Sequence, residues 1–79
     1  MREELAAYAH DTWSGWMKYL FTVSVLEDDG EYVIPKRLVD RWTRQLNTAY
    51  KDLPEEEKES DRKEADTILS IIETGEYGP

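Results

Sequence analysis

Six residues have the types and spacing to hold a ligand. They are His10, Trp13, Tyr50, Lys58, Asp61 and Arg62. A lysine and an arginine beside stacking rings suit a phosphate and a base: the guanidinium and ammonium meet phosphate oxygens, a ring covers the base, and His10 or Asp61 orients it. Lys58, Asp61 and Arg62 belong to EEEKESDRKEAD (55–66), where only Ser60 and Ala65 are uncharged. Two other readings stand beside this pocket. The start of the helix could overhang its partners, with Lys58 and Arg62 snorkelling over apolar surface. Or Asp61 or Arg62 is buried against the first helix, paired with His10 or a Trp N–H, because a buried charge needs such a partner.

The elements that must position these residues are legible from periodicity. Over 3–24, Leu5, Ala9, Thr12/Trp13, Trp16, Leu20 and Ser24 step by three or four. So do Ala6, His10, Trp13, Met17 and Phe21, and the two sets describe one long helix with a wide apolar face. Gly15 is costly there, and close approach of another element is a reason to keep it. VLEDDGEYVI (25–34) breaks the helix. Asp29-Gly30 allows a short hairpin, and a plain loop serves equally. Pro35 opens a second helix over 35–50, with Leu38, Trp42, Leu46 (or Gln45) and Ala49/Tyr50 as its stripe. Pro54 opens the third, with Glu55, Glu56 and Glu57 at its anion-favouring N-terminus and Gly75 as its stop. Its core stripe of Ile72, Ile68/Leu69 and Ala65, traced backwards, continues through Asp61/Arg62 to Lys58. Glu56, Ser60, Lys63 and Glu64 fall outward.

The fold class expected is mainly α: a small three-helix domain spanning 1–79, with room for a short β-hairpin between helices one and two and a frayed tail at about 75–79. Trp13, Trp16 and Trp42 are expected in the core. Lys36, Arg37, Arg41 and Arg44 are expected as a solvated basic face.

Composition narrows the function. Without cysteine there is no disulfide framework, thiolate zinc site or cysteine nucleophile. No run of 18 apolar residues and no signal-peptide core is present, so a soluble cytoplasmic protein without membrane contact is expected. A net charge of −8 disfavours direct nucleic-acid binding, which needs clustered Lys and Arg. The same charge suits a basic protein partner. His10 with Ser14 and Asp11 on one helix makes no credible triad. Asp28-Asp29-Gly30-Glu31 lacks calcium-loop spacing. Neither an enzyme nor a cofactor is expected. Surplus rings on a thin core make a homo-oligomer an open alternative.

LAAYAHDTW and the later YKDLPEEEKESDRKEADTIL resemble the RyR domain, the ryanodine receptor repeat also found in small bacterial and phage proteins. The elements carrying the resemblance are His10 and Trp13, then Tyr50, Leu53 and Pro54, then Glu57, Lys58, Asp61, Arg62 and Ala65. The middle departs: GWMKYLF lies within a helix, and a whole helix, PKRLVDRWTRQLNTAY, precedes the Tyr-x-x-Leu-Pro turn. HDTWSGWMKYLF is also similar to short phage proteins. The resemblance implies a non-enzymatic module. It would bind, and in a phage setting sequester, an adenine-nucleotide-like signalling ligand inside a bacterial host cell. The alternative is an acidic interaction module, a phage accessory or anti-defence protein that docks a basic partner.

Overall fold

The computed structural model describes residues 1–78; Pro79, the last residue of the expected frayed tail, lies outside them. Helix α1 runs Arg2–Val23. Strands β1 (Val25–Leu26) and β2 (Tyr32–Val33) follow as an antiparallel hairpin, with Val25 opposite Val33 and Leu26 opposite Tyr32. Helix α2 spans Lys36–Leu46, one turn of 3-10 helix covers Tyr50–Asp52, and α3 spans Glu55–Thr74. The mainly α domain with its interhelical hairpin is thus the observed fold.

Local chemistry explains the boundaries. Gly30 takes φ +88°, the Gly30 N–H donates to the Glu27 carbonyl at 3.0 Å, and the Glu31 N–H donates to Asp29 Oδ1 at 3.0 Å, which closes the hairpin loop. Pro35 and Pro54 stand immediately before α2 and α3, where a missing N–H costs nothing. Helix α2 ends at Leu46, short of the expected 50. The Thr48 hydroxyl donates back to the Arg44 carbonyl at 2.6 Å and the Asn47 side chain to that of Thr43 at 2.9 Å, so polar side chains take up the last carbonyls. Gly75 closes α3 in the left-handed conformation at φ +70°.

The core is thin. Among the described residues Leu38, Leu53 and Ile71 are the buried apolar ones, and Glu57 is the buried charged one. Trp13 and Trp16 are not in the core, as their helical spacing suggests, but 59% and 45% exposed; only Trp42 is half-buried. The reason is coverage: α1 is apolar around more of its circumference than α3 and α2 can screen. Nor does Gly15 admit a close neighbour, since a Cβ at that position would meet nothing within 4 Å. The tail is tied back as far as Tyr77, whose hydroxyl donates to Asp11 Oδ2 at 2.7 Å and whose ring meets Tyr8 edge-on at 5.3 Å.

The result is an open shape. The Cα extents are 46 × 33 × 16 Å and the radius of gyration is 15.8 Å, against about 12 Å for a compact chain of this length.

Candidate functional site

The six residues picked out by type and spacing fall into three neighbourhoods. The first is the start of α3. Lys58 Nζ sits 5.8 Å from the centroid of the Tyr50 ring, at the edge of cation–π range. Arg62 donates to Glu55 Oε2 at 3.0 Å and to Glu59 Oε2 at 3.4 Å, and Lys58 Nζ lies 3.7 Å from Glu55 Oε1. The hydrogen bond from Arg62, reinforced by its charge and that of Lys58, holds the Glu55 carboxyl below the usual carboxylate range. Reciprocally, Glu55 raises the affinity of Arg62 for its proton. The two cations therefore lie among carboxylates of their own helix.

The second neighbourhood is on α1. His10 and Trp13 stack with ring centroids 6.2 Å apart, and Ser14 Oγ lies 3.4 Å from His10 Nε2. Both contacts are within one helix, and His10 and Trp13 are exposed. No carboxylate hydrogen-bonds to His10 among the described residues, so the serine–histidine contact lacks the orienting group a nucleophile needs.

Asp61 occupies the third place. It borders the groove where α1 and α2 meet α3, lined by Trp16, Tyr19, Arg41, Trp42 and Leu53. Trp16 stacks on Tyr19 at 5.2 Å and meets Trp42 edge-on at 5.3 Å. These rings pack on one another.

The inward face of α3 differs from the traced stripe. Glu57 is buried where periodicity places Lys58, and it accepts a 2.6 Å hydrogen bond from Arg44 Nη2. Lys58 is half-buried, and Asp61 and Arg62 are exposed. Glu64, outward in the periodic stripe, borders the groove to α1 together with Ile68. The contact positions are Glu57, Asp61, Glu64, Ile68 and Ile71: Asp61 and Ile68 belong to the traced stripe, while Glu57, Glu64 and Ile71 stand one residue back from Lys58, Ala65 and Ile72. Lys36, Arg37, Arg41 and Arg44 on α2 are all exposed, as a solvated basic face should be, though Arg44 also holds Glu57 and Lys36 pairs with Asp40 at 2.6 Å.

Sequence reasoning misses a larger feature. A groove of about 550 Å³ between α1 and α3 is walled by Leu5, Tyr8, Trp13, Trp16 and Ile68. Beyond it, Leu69 and Ile72 are 55% and 52% exposed. The signal for it lies in α1: two complete apolar stripes exceed what one small partner helix covers. Among the described residues no group of acidic or imidazole ligands converges for a metal, and no helix is long and apolar enough to cross a membrane.

No family model, curated protein or solved structure matches the chain.

Proposed function

We propose that this protein is a non-enzymatic protein-interaction module that docks through the apolar side of its α1–α3 layer. The observation carrying this reading is the exposure of Trp13, Trp16, Leu69 and Ile72 on neighbouring helices. Scattered apolar residues need no explanation, but a contiguous set with exposed tryptophans marks a binding surface. The acidic remainder of the surface favours basic neighbours and speeds their approach.

The test is oxidative footprinting of Trp13 in purified protein and in bacterial extract, with affinity capture in parallel. The expected result is protection of Trp13 in the complex, lost in Leu69→Asp and kept in Arg62→Ala. A Trp13 as reactive as in the unfolded chain, at every protein concentration and in extract, overturns the reading.

A second reading, binding or sequestration of an adenine-nucleotide-like ligand, has one observation in its favour, the approach of Lys58 to the Tyr50 ring with Arg62 one turn on. A phosphate there would take Arg62 and Lys58 away from Glu55 and Glu59. His10 and Trp13 would not share the site without movement of α1. A thermal-shift screen against adenine mono-, di-, tri- and cyclic nucleotides and ADP-ribose tests it. Ligand at about 100 times its dissociation constant adds roughly 2.7 kcal/mol.

A further inference from the structure

We propose that the occupant of the apolar side is a second copy of this chain, so that Ala6, Trp13 and Met17 of α1 and Ala65, Leu69 and Ile72 of α3 form a two-fold homodimer interface. The proposal rests on the interaction-module reading and names its partner.

Helix geometry puts both stripes on one surface. The N-terminal half of α1 meets the C-terminal half of α3, since Leu5 and Tyr8 share a groove with Ile68 while Trp16 and Tyr19 border Asp61. The two helices are therefore antiparallel. Each interface residue lies one position beyond a residue at or beside the α1–α3 contact: Ala6 after Leu5, Trp13 after Thr12, Met17 after Trp16, Ala65 after Glu64, Leu69 after Ile68, Ile72 after Ile71. One residue turns a helix by about 100°. In antiparallel neighbours equal rotations of this kind face the same side of the layer.

The chain's excess of exposed area is of the size a dimer would bury. The accessible surface is 6404 Å², where a compact monomer of 9.3 kDa would expose about 5,000 Å². The excess, roughly 1,400 Å² per copy, is on the scale that each partner of an obligate dimer buries. A core of three apolar side chains is also less than a chain this short needs to fold alone. Pairing the two layers would place four long helices around a common apolar centre.

The distribution of charge permits a second copy. The chain carries −8, which would oppose self-association if the charge lay on this face. Most of it does not: residues 5–21 contain one acid, Asp11, and one base, Lys18, and residues 65–72 contain Asp66 alone, with Glu64 at the edge of the α1–α3 groove and Glu3 and Glu4 in the first turn of α1. The acidic residues cluster in the hairpin loop and the first half of α3. At physiological salt, charges more than about 8 Å apart are largely screened.

Sedimentation equilibrium of the purified full chain, from about 1 to 500 µM, tests the proposal. The expected mass is twice 9.3 kDa, with a melting temperature that rises with concentration and Trp13 oxidation that falls with it. Leu69→Asp should lower the dimer population at least tenfold, and Leu46→Asp, on α2 and 74% exposed, should not. Should Leu69→Asp fail to fold, the wild-type mass, melting and footprint series still decides. A monomer mass with concentration-independent melting overturns the dimer; if Trp13 is then protected only in extract, the interaction-module reading survives with another partner. A dimer broken by Leu46→Asp and not by Leu69→Asp overturns the choice of face.

Discussion

Arg44 Nη2 lies 2.6 Å from Glu57 Oε2 and ties the last turn of α2 to the first turn of α3. The partners are unequally placed. Glu57 is buried, with its second oxygen unpartnered among protein groups, while Arg44 is half-exposed. Removing Arg44 leaves a buried carboxylate uncompensated, which costs more than the pair contributes. Arg44→Ala should destabilise the fold by about 2–3 kcal/mol, measured by chemical denaturation. Glu57→Gln should cost less, because an amide tolerates burial better than an unpaired carboxylate.

That pair also shows where sequence reasoning reaches its limit. The three helices, both proline starts, the Asp29-Gly30 turn and the Gly75 stop are legible because each is dictated within a few residues. The facing of α3 is not. Its apolar residues Ile68, Leu69, Ile71 and Ile72 span a broad arc, and a backward trace from a broad arc can settle one residue off. That shift exchanges buried Glu57 for Lys58. The candidate site residues are spread over several elements for a related reason: His10 and Trp13 lie on α1, Tyr50 on the 3-10 turn, and Lys58 and Arg62 in the first turns of α3, which helix spacing alone does not relate. The tryptophans read as core because a sequence shows that a face is apolar, not how much of it the rest of the chain covers.

Gly15 should be replaceable with profit. It lies mid-helix and exposed, with open space for 4 Å around the position a Cβ would take. Gly15→Ala removes the backbone entropy cost of glycine and should stabilise by about 0.5–1 kcal/mol. For a domain of this size the melting temperature should rise by several degrees, at roughly 4–8 °C per kcal/mol. A fall would mean that another molecule packs against α1 at this position.

Ile71 is 2% exposed, the most deeply buried side chain described. Ile71→Ala should cost about 2–5 kcal/mol. With so few buried neighbours, that loss should abolish cooperative unfolding at low protein concentration. If the second copy supplies the missing core, cooperativity should return as concentration rises, a result that calorimetry at two concentrations reads directly.

The Tyr77–Asp11 contact gives the tail a pH dependence. Donation to the Asp11 carboxylate pushes the Tyr77 phenol above its ordinary value of 10.0. A raised folded-state value means that the unfolded chain gives up this proton first. The contact's stabilisation is therefore fully present below the ordinary value and is lost as pH rises through the folded one. The expected observation is a denaturation midpoint that holds up to the ordinary tyrosine value of 10.0 and falls as pH rises above it. Tyr77→Phe should flatten that segment of the curve and lower the midpoint at pH 8, since the ring stays on Tyr8 but the hydrogen bond is gone. A parent and variant with parallel profiles from pH 8 to 11 would show that the tail does not hold Asp11 in solution.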